Sequence, residues 1–280
     1  MSDAIPLPFT GEGRMGAVTS TVLLLGNPVS RSLSPVMQNA AFAALGIDCH
    51  YEPREVNAEG LAAAVAELRA DESILGANVT IPHKESVLAL LDDLDPLAAR
   101  IGAVNTITHQ GARLKGWNTD VVGFLSALGE VTGANFPSPS GGGQRGGRRV
   151  AIIGAGGAAR AVAAALQPTA DQVWIIARNL EQARRLCTDL RIERGGPVDL
   201  RHMRETVARV DLVVNATPLD LPPAGWLRPE QSVFDLRSRR SAEGRAMLLH
   251  QGAAAFALWT GRPAPIEVMR AALNHQSVLA

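Results

Sequence analysis

At 280 residues the chain is long enough for two domains with separate cores, and 46% hydrophobic against 19% charged residues is the balance of a soluble globular protein. Lys plus Arg and Asp plus Glu both total 27, so no net field recruits nucleic acid or an anionic membrane. Cys49 and Cys187 have no metal-ligand spacing and read as a reduced cytoplasmic pair, with one disulfide between them as the alternative.

Residues 1–20 read as a flexible extension: Asp3, Glu12, glycines and prolines leave no apolar core for a secretory signal, and no later run is long enough to span a bilayer. Val22 to Leu25 is the first apolar strand. Ser34, followed by Pro35, reads as the N-cap of a helix from Val36 to Leu45, which leaves Ser32 unexplained. Cys49 to Val56 is a second strand, Ala58 to Ala70 an alanine-rich helix capped by Asn57, and Ile74 to Ile81 a third strand. Asn78 and Thr80, two apart, share one face of that strand. A helix is predicted from Pro82, which places Lys84 in the first turn, where a cation opposes the helix dipole; a functional lysine or a solvated one both fit. Leu94 to Ile101 reads as helix, Ala103 to Thr108 and Arg113 to Trp117 as a hairpin around Gln110-Gly111, and Val121 to Leu128 as helix. Strands alternating with helices imply a mostly parallel α/β sheet.

Residues 133–148, GANFPSPSGGGQRGGR, read as a flexible insertion or linker. Val150 to Ile153 is then a buried strand. Gly154, Gly156 and Gly157 make a sharp turn, and Ala158 to Leu166 is a helix whose N-terminal amides favour a phosphate. Strand, glycine turn and helix point to a dinucleotide site, against an ordinary strand-to-helix turn. The next strand, Gln172 to Ala177, ends in Arg178 rather than an acidic residue, which suits the extra phosphate of NADP; an exposed arginine capping the strand is the alternative. Leu180 to Leu190 is a helix, and Val198 to Leu200, Asp211 to Asn215 and Ser232 to Leu236 are strands. From Leu236 to Gly244 the chain is too short and too charged for a buried crossover helix, so this sheet is predicted to stop at five strands. Helices from Arg245 to Trp259 and Pro265 to Leu273 end the chain.

The motifs GNPVSRSLSP, GANVTIPHKE, GAVNTIT, GWNTD, GAGGAARA, NATP and MLLHQGAAAFALWTG occur in an order and spacing that resemble the shikimate dehydrogenases, including their quinate/shikimate relatives, from about Leu23 to Leu273. The resemblance implies an N-terminal, mostly parallel α/β substrate domain (21–132), a Rossmann-like NADP-binding domain (149–243) and C-terminal helices (244–280) returning to the first domain. It implies an NADP-dependent enzyme of chorismate and aromatic amino-acid biosynthesis that reversibly reduces 3-dehydroshikimate to shikimate. Lys84 matches the catalytic lysine, with Asp120 beside it. Ser32 and Ser34 match the serines that meet the substrate carboxylate, and Asn78, Thr80, Asn105, Asp120 and Gln251 match groups around its hydroxyls. Gly154, Ala155, Gly156, Gly157 and Ala158 match the pyrophosphate turn, and Arg178 the arginine on the NADP phosphate. Asn215, Thr217, Leu236 and Gly244 match further cofactor positions. No metal is implied.

The residue types suit the reaction. A nicotinamide carries the hydride, since no side chain can, and Lys84 handles the proton. A carboxylate beside a lysine raises its pKa, which suits a proton donor in the reduction direction. The chain departs from the family at three places. Ser238 stands where a substrate-contacting tyrosine is usual, a helix-strand unit is missing before Gly244, and Gln182 replaces a second phosphate-binding arginine. Two alternatives follow: an impaired paralogue that binds nucleotide or polyol acid without turnover, and a quinate/shikimate dehydrogenase. The expected partner is a small molecule, not nucleic acid or membrane, for a cytoplasmic monomer or homodimer.

Overall fold

The computed structural model describes residues 19–132 and 148–278, so nearly all of the predicted extension and insertion lies outside the described residues. The chain divides into two units. The first takes the chain up to Asp95, Val104–Thr119 and everything from Gly252; the second takes Pro96–Ala103 and Asp120–Gln251.

The sheet of the first unit has the order β2-β1-β3-β5-β6-β4. β1 (Ser20–Gly26) lies between β2 (Cys49–Glu55) and β3 (Ile74–Val79), parallel to both. Its run of Val22 to Leu25 is fully buried, as a strand covered on both faces requires. β5 (Thr106–Gln110) and β6 (Arg113–Trp117) form the predicted antiparallel hairpin, turning at Gly111 with φ +64°, and β5 also runs antiparallel to β3. The short β4 (Asp93–Leu94) pairs with β6. Helices α1 (Ser34–Ala44) and α2 (Leu61–Ala70) connect the first three strands. α2 starts later than predicted because Asn57 Oδ1 accepts from the Gly60 N–H at 2.8 Å and caps a preceding turn.

The helix predicted from Pro82 does not form; Ser86–Leu90 is a short 3-10 helix. The backbone groups it would need are taken by other segments. The Ile81 carbonyl accepts from Asn27 N–H at 2.9 Å, the Lys84 carbonyl accepts from Val104 N–H at 2.8 Å, and the His83 ring lies 2.5 Å from the Val56 carbonyl. Lys84 thus sits in a turn anchored between strands, and the predicted conflict with a helix dipole does not arise.

The second sheet is entirely parallel with the order β11-β10-β7-β8-β9, from β7 (Arg149–Ile153), β8 (Gln172–Ala177), β9 (Gly195–Asp199), β10 (Leu212–Asn215) and β11 (Ser232–Asp235). It has the five strands expected, although β9 lies earlier than predicted. One face carries α4 (Asp120–Thr132), α5 (Gly157–Leu166) and α6 (Leu180–Asp189) over a core of Phe124, Val162, Leu186 and Phe234. The other face holds Ile153, Ile176 and Val213 against the short α7 (Met203–Val207), which sequence periodicity does not reveal.

The two units divide the chain at two places other than the boundaries expected from sequence. α4 and the preceding α3 (Pro96–Ile101) belong to the second unit, because Phe124, Ala127, Leu128 and Ile101 join its apolar core. α8 (Ala242–Thr260) divides at Gln251, with the earlier residues in the second unit and the later ones in the first. α8 also begins before Arg245. The Ser241 hydroxyl accepts from the Gly244 N–H at 2.9 Å, an N-cap in the expected i to i+3 geometry. α9 (Ile266–Val278) closes the first unit against α1.

Candidate active site

In the first unit two of the predicted substrate residues, Asn78 and Asn105, lie on one chain of hydrogen bonds. Ser34 is the first residue of α1 rather than its cap; its own backbone N–H donates to the Ser32 hydroxyl at 3.2 Å, which gives Ser32 the local role that the sequence leaves open. The Ser34 side chain is buried. The Tyr51 hydroxyl donates to Asn78 Oδ1 at 2.8 Å, and Asn78 Nδ2 donates to the Asn105 carbonyl at 2.9 Å and to Thr106 Oγ1 at 3.1 Å. Asn105 continues the chain: Oδ1 accepts from the Thr119 N–H at 2.7 Å and Nδ2 donates to Thr119 Oγ1 at 2.9 Å. All of these side chains are buried, where an unpartnered polar group costs about 1–3 kcal/mol, so the network is held in one arrangement. The motifs alone do not mark Tyr51, Thr106 and Thr119 as members. A buried tyrosine hydroxyl needs a partner, and that requirement is the one sequence signal that points to Tyr51.

Thr80 and Lys84 follow β3 and are half-buried. Thr80 N–H donates to the Leu25 carbonyl and its own carbonyl accepts from His83 N–H, both at 2.9 Å. These bonds fix the turn that carries Lys84. Asp120, the first residue of α4, and Gln251, on α8, belong to the second unit and are buried. Gln251 Nε2 donates to the Leu248 carbonyl at 2.9 Å. Gly123 lets α8 approach α4 closely: an added Cβ would lie 2.6 Å from Gln251 Cβ.

The glycine turn of the second unit suits a dinucleotide. Gly154 has φ +119°, and a Cβ there would lie 3.1 Å from the Ala216 carbonyl and 3.3 Å from Thr217 Cγ2. A Cβ on Gly156 would meet nothing within 4 Å, so the backbone before α5 faces open space at the positive end of a ten-residue helix. The loop after β10 is tied by Asn215, whose Oδ1 accepts from Thr217 N–H at 3.1 Å and Thr217 Oγ1 at 2.8 Å, while Nδ2 donates to the Leu219 carbonyl at 2.8 Å. Arg178 is exposed at the end of β8 and forms no ion pair among the described residues, which leaves its fork to a phosphate. The donor set and the open cradle fit NADP.

Leu236 and Gly244 have a structural account of their own. Leu236 N–H donates to the Asn215 carbonyl at 3.0 Å, and Gly244 is buried where a Cβ would fall 2.7–2.8 Å from backbone atoms of Leu236, Arg237 and Ser238. The turn after β11 is locked by Arg237, which pairs with Asp235 at 2.5 Å and Asp220 at 2.8 Å. Those partners raise the Arg237 pKa, with the Asp235 hydrogen bond the largest cause and partial burial opposing it.

Three family models match the chain: a shikimate dehydrogenase substrate-binding domain over residues 24–107, shikimate/quinate 5-dehydrogenase over 141–222 and a shikimate 5'-dehydrogenase C-terminal domain over 244–273. A curated relative, the shikimate dehydrogenase (NADP(+)) of Moorella thermoacetica, is 45% identical across 90% of this chain and 92% of its own length. The crystal structure of shikimate 5-dehydrogenase from Thermus thermophilus, in complex with NADP(H) and shikimate, superposes with TM-score 0.75 at 34% identity, covering 91% of this chain and 99% of that one. Quinate dehydrogenase from Corynebacterium glutamicum in complex with NAD gives TM-score 0.76 at 26% identity, covering 92% and 99%.

Proposed function

We infer, because the chain belongs to the shikimate dehydrogenase family, that it is an NADP-dependent oxidoreductase catalysing the reversible reduction of 3-dehydroshikimate to shikimate. The observation that carries this is the match over nine-tenths of the chain at 45% identity, which includes both the Lys84 motif and the glycine turn.

NADPH, when bound, supplies the hydride that reduces the substrate's carbonyl carbon. Lys84 donates the proton to the carbonyl oxygen from Nζ and takes it back in the oxidation direction. Asp120 is assigned to orienting the reacting oxygen. Ser32 and Ser34 hold the substrate carboxylate. Thr80, Asn105 and Gln251 engage its hydroxyls, and Asn78, whose two amide protons are already committed, uses the remaining lone pair of Oδ1. Gly154, Ala155, Gly156, Gly157 and Ala158 hold the pyrophosphate, Arg178 the extra phosphate, and Asn215, Thr217, Leu236 and Gly244 the rest of the dinucleotide.

Among the described residues no helix is long and apolar enough to cross a membrane. The proposal extends to a cytoplasmic monomer or homodimer acting on a small-molecule substrate with no nucleic-acid or membrane partner, which sedimentation and cell fractionation check. The activity test is absorbance of reduced nicotinamide on mixing protein, NADP+ and shikimate, with quinate in parallel. Turnover above a Lys84→Ala control, faster on shikimate than on quinate, is expected. Thermal stabilisation by shikimate without turnover would instead mark a binding-only paralogue.

A further inference from the structure

Asn78, assigned to the substrate's hydroxyls, is held by a side chain that the functional assignment leaves out. Tyr51, on β2, is the only tyrosine of the chain and is fully buried. α1 grips its backbone from both sides: the Tyr51 N–H donates to Asn39 Oδ1 at 2.7 Å, and Asn39 Nδ2 donates to the Tyr51 carbonyl at 2.9 Å. The ring is backed by Trp259, with centroids 6.1 Å apart. Burial pushes the phenol well above its ordinary pKa, so the hydroxyl keeps its proton at any working pH. That proton goes to Asn78 Oδ1, because Asn78 Nδ2 is spent on Asn105 and Thr106.

We propose that Tyr51 is a positioning residue for substrate binding: its hydroxyl fixes the Asn78 amide so that the remaining lone pair of Asn78 Oδ1 is presented to a substrate hydroxyl. The inference rests on the reading of Asn78 as a ligand of the substrate's hydroxyls. Without the phenol, Asn78 Oδ1 would lose a buried partner while Nδ2 stayed bound to Asn105 and Thr106.

The test uses the full chain with calorimetric titration of shikimate and of NADP+. Tyr51→Phe is expected to weaken shikimate binding about tenfold, the effect of misplacing one hydrogen bond to the substrate, while leaving NADP+ affinity within about twofold. In the Tyr51→Phe/Asn78→Ala double variant the losses should fall short of the product of the single effects, because both act on the same amide oxygen. A second readout needs no substitution. Tyrosine labelled with carbon-13 at Cζ gives one resonance from this chain, and saturation with shikimate, not with NADP+ alone, should move it. Unchanged shikimate affinity in Tyr51→Phe, fully multiplicative losses, or a stationary resonance would each overturn the proposal. Absence of shikimate binding by the unsubstituted chain would overturn the substrate reading itself, and the proposal with it.

Discussion

Replacing Gly123 with alanine probes how closely α4 and α8 pack. A Cβ at Gly123 would lie 2.6 Å from Gln251 Cβ, 2.8 Å from Gln251 N and 3.0 Å from Gln251 Cα. Carbon atoms in contact settle at about 3.5–4.0 Å, so the two helices must part there by roughly 1 Å. Two of those three atoms are backbone, and no rotamer change relieves them. Alanine gains about 1 kcal/mol over glycine in a helix interior, whereas overpacking costs about 1–3 kcal/mol. The net expectation is a loss of roughly 0–2 kcal/mol. Gly129, later in α4, supplies the control, since a Cβ there meets nothing within 4 Å. Gly129→Ala should raise Tm by roughly 2–4 °C, as the helix term alone predicts for a protein of this size. Calorimetry on both variants separates the packing cost from the propensity gain. Displacing Gln251 by that distance should also lower shikimate kcat/KM by up to about 100-fold with the NADP+ KM unchanged. Equal rises in Tm for the two variants, with kcat/KM intact, would refute the close packing at Gln251.

Arg178→Ala should raise the KM for NADP+ about 10-fold to 100-fold, the loss of a charge-assisted phosphate contact, and leave the KM for NAD+ nearly unchanged; parallel steady-state assays with the two cofactors check this. Asp211 is held below the usual carboxylate range: partial burial pushes it up, but hydrogen bonds from the Arg149 side chain and backbone more than offset that. A depressed folded pKa stabilises above the unfolded value and is lost as pH falls through the folded one. The Tm gap between the native chain and Asp211→Asn should therefore be present at neutral pH and close below about pH 4. Burial pushes the Cys49 thiol up to about 12, helped by Asp48, and burial alone takes Cys187 to about 11. Both should resist a thiol reagent at pH 8 in the native protein and react on unfolding, which a colorimetric thiol count with and without denaturant measures.

The strands are readable wherever a short apolar run ends in a turn signal, as at Val22 to Leu25 and Val150 to Ile153. The glycine turn and the hairpin at Gly111 are equally readable, because those positions demand conformations that few residues adopt. The segment after Pro82 is not. Its helical pattern is local, whereas the bonds that reshape it come from Asn27, Val56 and Val104, distant in sequence. Ser34 mimics a cap, but the helix begins on Ser34 itself, and Leu33 precedes it with no side-chain cap bond. The polar residues of the candidate site are visible one motif at a time. Their joining through Tyr51 and Thr106 depends on the sheet order β2-β1-β3-β5, which no single motif encodes.

The short turn after β11 bears on solubility. β11 is four residues long and ends its sheet, so among the described residues one side of it has no strand neighbour. Such an edge is a template for strand addition by another chain, and Val233 on it is 37% exposed. Arg237, Arg239 and Arg240 follow at once. Arg237 is paired with Asp235 and Asp220, so the turn after the edge strand folds back on acidic partners instead of extending as a second strand that another edge could pair with. At four residues β11 also offers another chain few backbone bonds, and shortness of an edge strand itself limits edge-to-edge pairing.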